Sequence, residues 1–234
     1  MTLYTDPPSS YPEAFFFLKA TDQTVSENQT SRRAKANFPT VLLTLLSIVQ
    51  AFALELMWTH INEHAYLYEL SFVSVLSWLQ IVATLLGVLL IWLIYSDLVL
   101  RLSWLPTTTD AIFPFVVGIL EFVQIGILGP TTIGPWFLLL AILFSAMAWI
   151  SQATMKRARQ DQDNVDFFKN VEPASWNDHL VTIIPVLALS IVGMLIWLLN
   201  NQGWFSLIAL ALAVILLSYQ IRMNHIFTQS SYRR

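Results

Sequence analysis

One stretch of the sequence decides the fold class: Leu70 to Ser96 reads LSFVSVLSWLQIVATLLGVLLIWLIYS and contains no Asp, Glu, Lys or Arg. It exceeds the roughly 20 apolar residues that span a bilayer core as a helix. Five further apolar runs flank it: Phe38 to Trp58, Ala111 to Leu128, Trp136 to Met155, His179 to Leu199 and Trp204 to Ile221. The sequence therefore predicts an all-α, polytopic integral membrane protein built as a bundle of six transmembrane helices.

The positive charges predict the orientation of that bundle. All 12 Lys and Arg residues lie before the first run, after the last, or in the connections that follow the second and fourth runs. The other three connections, 59–69, 129–135 and 200–203, contain none. Because Lys and Arg in short loops favour the cytoplasmic side, both termini are predicted to be cytoplasmic and the protein to lie in the cell (inner) membrane.

Composition divides the chain into three parts. Residues 1–37 are rich in Ser, Thr, Asn, Gln and Pro and predict a partly disordered cytoplasmic tail. Residues 38–222 form the predicted transmembrane domain, and residues 223–234 a second cytoplasmic tail. The chain is 56% hydrophobic, above the roughly 45–50% usual for soluble domains, has no cysteine, and shows no basic stripe for nucleic acid.

Local signals at the ends of the runs fit this topology. Pro39 suits the first turn of the first helix, and Asp110 precedes the third. Four tryptophans fall at the predicted outer boundary, where an aromatic belt is expected: Trp58, Trp136, Trp197 and Trp204.

Small and polar residues recur at steps of three and four along several of the runs, including the first and the second. The second run carries Ser71, Ser74, Ser77, Gln80, Thr84 and Gly87. The first carries Thr40, Thr44, Ser47, Ala51 and Glu55. Such stripes lie on one helix face and let helices pack closely, so they predict helix–helix contacts. A permeation path along them is the alternative.

A polar layer is predicted near the middle of the membrane. Glu121 is the ionisable residue at real depth, where a carboxyl group costs at least about 2.5 kcal/mol on insertion scales. The topology brings Gln50 and Gln80 to similar depth, and Gln124 shares a face with Glu121. Two interpretations remain open: a proton- or cation-handling site, or a neutral Glu121 that is hydrogen-bonded to an amide and fixes the helix register.

The first outer connection contains a second candidate site. His60, Glu63 and His64 follow the H-x-x-E-H order of inverzincin metallopeptidases, but no further acidic ligand is evident downstream. A looser divalent-metal or proton site that also uses Glu55 is the other interpretation.

These features predict a channel-like or sensor-type membrane component that forms homo-oligomers. A bundle of this size leaves little room for an internal aqueous route, so permeation would pass between protomers. An accessory subunit that binds another membrane protein through its stripes is one alternative. A metal-dependent membrane enzyme that uses the outer loop is the other, although no nucleophile or phosphate-binding motif supports an enzyme.

Overall fold

The computed structural model describes residues 13–169, 176–200 and 202–232, and the part of the chain that it describes is helical, without strands. The helices are α1 (Glu13–Glu63), α2 (Phe72–Arg101), α3 (Thr108–Gly126), α4 (Ile133–Gln160), the short α5 (Val165–Phe168), α6 (Trp176–Leu198) and α7 (Trp204–Tyr232). Short 3₁₀ turns follow α1 at Ala65–Tyr68 and α4 at Gln162–Asn164.

Five of the described helices are long and apolar enough to cross a membrane, over Arg32–Glu63, Phe72–Arg101, Thr108–Gly126, Ile133–Gln160 and Trp204–Asn224. The predicted span His179–Leu199 falls in α6, which contributes the shorter apolar segment Ile183–Leu198. The protein is therefore a helical, multi-pass membrane protein.

The first helix is longer than the sequence predicts. It begins at Glu13, whereas the predicted span begins at Phe38, so the backbone of residues 13–37 is helical where composition predicts a partly disordered tail. Pro39 lies inside α1, and its interpretation as a first-turn residue is wrong. Once a helix exists, each added residue gains a hydrogen bond at little further cost, which allows α1 to continue beyond the apolar run.

The six long helices are arranged as a ring of neighbours in the order α1, α3, α4, α6, α7 and α2, and α2 also contacts α3 and α4 across the centre. Helices α4 and α6 approach at two glycines: a Cβ added to Gly193 would lie 2.9 Å from the Gly134 carbonyl oxygen. A side chain at this crossing would force the helices apart, which explains the glycines there.

Two clusters of buried apolar side chains fill the bundle. One lies towards the end that carries the 65–68 turn and includes Ala53, Leu76, Ile125 and Trp136. The other lies towards the opposite end and includes Leu46, Tyr95, Val117 and Leu143. We call them the outer and the inner cluster, after the predicted orientation.

Trp136 does not lie in the aromatic belt, and its predicted place there is wrong. Its side chain is fully buried, and its indole Nε1 donates to Thr84 Oγ1 at 3.0 Å. Trp58, Trp197 and Trp204 are exposed by contrast. A partner for the indole N–H inside the bundle allows this tryptophan to leave the interface.

Candidate functional site

Gln50 of α1 and Glu121 of α3 form a buried polar pair. The Gln50 side-chain nitrogen Nε2 donates to Glu121 Oε1 at 2.9 Å and to Oε2 at 3.1 Å. Gln50 is 6% exposed and Glu121 is 1% exposed. The pair lies between the two apolar clusters, because Leu46 and Val117 belong to the inner cluster and Ala53 and Ile125 to the outer one.

A glycine brings these two helices together. One turn before Glu121, a Cβ added to Gly118 would lie 2.6 Å from Val49 Cγ1. Because Val49 precedes Gln50 in α1, the close contact at Gly118 holds the two polar side chains within hydrogen-bonding distance. The pair therefore depends on the α1–α3 crossing.

The two other members of the predicted polar layer are placed differently: Gln124 adjoins Glu121 on α3, and Gln80 is bonded elsewhere. Gln124 lies three residues after Glu121, is 2% exposed, and its Nε2 has no hydrogen-bond partner within the protein. Gln80 is fully buried, and its Oε1 accepts from the Gly129 N–H at 3.0 Å. Gln80 thus fixes the α3–α4 turn onto α2, while Glu121 is bonded to α1.

The stripe on α2 is inside the bundle. Ser74, Ser77, Thr84 and Gly87 are all buried. Ser74 Oγ donates to the Leu67 carbonyl at 2.7 Å, which holds the 65–68 turn, and Thr84 accepts from the Trp136 indole. Ser74 and Thr84 thus join α2 to the 65–68 turn and to α4.

The stripe on α1 has the opposite environment. Thr40, Thr44, Ser47, Ala51 and Glu55 are all exposed on the outside of the chain. The other face of α1 supplies the buried residues Leu42, Leu46, Val49, Gln50 and Ala53. The predicted helix contact at this stripe is therefore not made within one chain.

The outer histidines stack on each other and do not converge on a common point. The His60 and His64 rings are 4.1 Å apart with 27° between their planes, and His64 Nδ1 lies 2.8 Å from the His60 carbonyl oxygen. Glu55 and Glu63 are exposed. Within the described residues, no group of three or more His, Cys, Asp or Glu side chains could hold a metal ion. The divalent-metal site at His60, Glu63, His64 and Glu55 therefore stays a prediction without geometric support.

A buried ion pair at the inner end of the bundle is absent from the sequence prediction. Arg157 of α4 binds Asp110 of α3 through two bonds, Nη2 to Oδ1 at 2.6 Å and Nη1 to Oδ2 at 2.8 Å. Asp110 is 1% exposed and also accepts from the Thr107 N–H and from the Trp104 indole. Opposite charges at the adjoining ends of consecutive antiparallel spans are the signal that could have identified the pair.

Two further contacts stabilise the same end. Asn164 Oδ1 accepts from the Ser103 N–H at 2.9 Å, which joins the 162–164 turn to the α2–α3 connection. Lys35 of α1 pairs with Asp161 at 2.6 Å. The Asp110–Arg157 pair also has a structural role, because removing Arg157 would leave the charge of the buried Asp110 without its partner.

Comparisons of the chain with protein-family models, with curated proteins and with solved structures found no match.

Proposed function

We propose that this protein is a sensor-type component of the cell (inner) membrane in which Glu121 binds and releases a proton. The proposed topology has six spans, with α6 as the fifth, and both termini in the cytoplasm. The observation that carries the function is the bond from Gln50 to Glu121, buried at the α1–α3 crossing.

The bond between Glu121 and Gln50 links the protonation state of Glu121 to the contact between α1 and α3. An ionised Glu121 accepts from Gln50 Nε2, as the distances describe. A neutral Glu121 keeps one carbonyl oxygen that can accept from Gln50 Nε2, but its O–H no longer accepts there and needs an acceptor of its own, so protonation changes the bonding at this contact. Ionisable residues at this depth usually face the bundle interior and have functions of this kind.

A channel-like function is the other form of the proposal. It requires an aqueous route, and the enclosed pair offers none, so ions would have to pass between protomers. The sensor-type form needs only that the two states of Glu121 favour different α1–α3 packings.

The test measures the α1–α3 distance against pH. Because the chain has no cysteine, Phe52→Cys on α1 and Ile119→Cys on α3, both exposed positions, accept spin labels at two defined sites. In bilayers we expect the distance distribution to change with pH, and to stop changing in a Glu121→Gln background. Glu55→Gln, at an exposed carboxyl of α1, is the matched control and should keep the response. A response that survives Glu121→Gln would exclude Glu121 as the proton site.

The orientation is tested with an impermeant thiol reagent on intact cells. Asn62→Cys is at an exposed position in the outer connection, and Asp166→Cys replaces an exposed side chain that follows α4. Labelling of Asn62→Cys alone is expected. Labelling of Asp166→Cys alone would reverse the proposed topology.

An accessory subunit is the second candidate function, and the outward stripe of α1 favours it. Hydroxyl groups and a carboxyl on the lipid-facing side of a transmembrane helix are unusual unless another helix covers them. The covering helix would belong to a second copy of this chain or to a different membrane protein.

Cross-linking distinguishes a second copy of this chain from a different membrane protein as the source of the covering helix. Ser47→Cys on the stripe should give a cross-linked homodimer in membranes, and Leu212→Cys on the exposed face of α7 should not. A fixed heterologous partner cross-linked through Ser47→Cys would favour the accessory subunit. A photoactivatable reagent attached to Ser47→Cys needs no cysteine in the partner, and if it cross-links to no protein, this second candidate is removed.

A further inference from the structure

We infer that the α1–α3 crossing binds an ordered water molecule held jointly by Gln50, Glu121 and Gln124. The inference rests on the proposed function, since this water would exchange the proton with Glu121.

Two buried polar atoms at the crossing have no hydrogen-bond partner within the protein. They are Gln50 Oε1, an acceptor, and Gln124 Nε2, a donor. Both residues are more than nine-tenths buried. Buried polar atoms are paired in the great majority of cases, often by an ordered water. One unpaired atom on the residue bonded to Glu121 and another on the residue one turn further along α3 therefore point to a bound molecule.

The two atoms belong to residues that both adjoin Glu121. Gln124 is three residues after Glu121 on the same helix, which places their Cβ atoms about 5–6 Å apart. Gln50 Oε1 is on the amide group whose nitrogen already contacts both Glu121 oxygens. A carboxylate can accept about four hydrogen bonds, so Glu121 retains capacity for another donor.

The donor set selects water over a metal cation. A water molecule accepts from Gln124 Nε2 and donates to Gln50 Oε1 and to Glu121, which uses three hydrogen bonds, the number typical of a buried water. A cation would meet the amide N–H groups of Gln124, whose partial positive charge opposes it, and would leave Gln124 Nε2 without an acceptor. Water also carries protons, as the proposed function requires.

The experiment is proton-detected solid-state NMR of the protein in bilayers, with polarisation transferred from water to the side-chain amides of ¹⁵N-labelled glutamine. We expect a water contact to the Gln124 amide in the unmodified protein. In Gln50→Leu this contact should weaken, because the water loses its acceptor. The amide of Gln202, which is exposed in the α6–α7 connection, is the positive control for water contact.

Two variants assign the signal. Gln124→Leu removes the amide, and Gln124→Met removes it with little change in shape, so one of them should fold even if the other does not. In either variant the signal should vanish while the Gln202 signal stays. A Gln202 signal without a Gln124 signal in the unmodified protein would overturn the inference, and so would a Gln124 signal unchanged in Gln50→Leu.

The outcome is independent of the test of function. A water contact at Gln124 together with a pH response that survives Glu121→Gln would keep the water site and remove the proton-sensing function. A pH response that is abolished by Glu121→Gln, without a water contact at Gln124, would keep the proton-sensing function and remove the water site.

Discussion

Two stripes of small and polar residues with the same helical spacing have opposite environments in this protein. The stripe on α2, which includes Ser77 and Thr84, is buried among α4, α7 and the outer turn. The stripe on α1, which includes Thr44 and Ser47, is exposed on the outside of the chain. Periodicity identifies a face of a helix that can pack closely, but it does not identify the partner of that face.

The hydrogen bonds of the two stripes show the same difference. Thr84 Oγ1 donates to the Gln80 carbonyl of its own helix and also accepts from the Trp136 indole of α4. Thr44 Oγ1 donates only to the Thr40 carbonyl, one turn earlier in α1. A hydroxyl that is satisfied within its own helix can face lipid, and it remains able to accept from another chain.

Replacing one serine on each stripe with leucine should give the largest contrast. Ser77→Leu adds two heavy atoms at a position that is 2% exposed, so overpacking should lower the free energy of unfolding by about 3 kcal/mol. Ser47→Leu, on the exposed stripe, should leave the unfolding of the protomer nearly unchanged. Unfolding of both variants in detergent, followed by loss of helicity, measures the contrast. Equal destabilisation would mean that both stripes are packed within one chain.

An isosteric change sharpens the comparison by removing only a hydroxyl. Thr84→Val leaves the buried Trp136 N–H without its acceptor, which should cost about 1–2 kcal/mol. Thr44→Val removes a hydroxyl that bonds only within α1 and should cost almost nothing. The shift in thermal stability of the detergent-solubilised protein measures each effect. If Thr44→Val were the more destabilising change, the assignment of the two faces would be reversed.

Features that depend on one helix alone could be predicted from the sequence. The apolar runs, the stripe on α2 and the burial of Glu121 follow from composition and period. Features that depend on a particular partner could not. The belt rule places Trp136 at the interface, but Thr84 offers it a partner inside the bundle. Asp110 and Arg157 are 47 residues apart, and only the fold brings them together.

The ion pair between Lys35 and Asp161 lies outside both stripes and is partly exposed to water. It shows how much an ion pair of this kind contributes to the free energy of unfolding. Burial raises the pKa of the Asp161 carboxyl. Hydrogen bonds from Lys35 and from the Asp163 N–H lower the pKa, and so does the positive charge of Lys35. Together they exceed the effect of burial, so the pKa lies below the usual value for an aspartate. The stability that this group contributes is present above its unfolded pKa and is lost as pH falls through the lower folded value. The effect should be below about 1 kcal/mol, as for other solvated ion pairs.

An acid titration of stability checks this expectation. Asp161→Asn should remove a small part of the destabilisation that develops below about pH 4, the usual range for an aspartate. Asp166→Asn is the control: it breaks an exposed contact with Lys169 at a side chain that is 92% exposed, so it should leave the acid profile nearly unchanged. An identical acid profile for Asp161→Asn and the unmodified protein would show that the Lys35 contact contributes nothing.

The central claim is that Gln50 and Glu121 interact directly across the α1–α3 crossing, and a double-mutant cycle tests it most directly. Free energies of unfolding are measured for the unmodified protein, Gln50→Leu, Glu121→Leu and the double variant. A control cycle combines Gln50→Leu with Glu55→Leu, which changes an exposed position of α1. The bond predicts a coupling energy of about 1 kcal/mol or more for Gln50 with Glu121, and additivity within about 0.5 kcal/mol for Gln50 with Glu55. A Gln50–Glu121 coupling no larger than that of the control cycle would contradict the pair, and with it the proposed proton site.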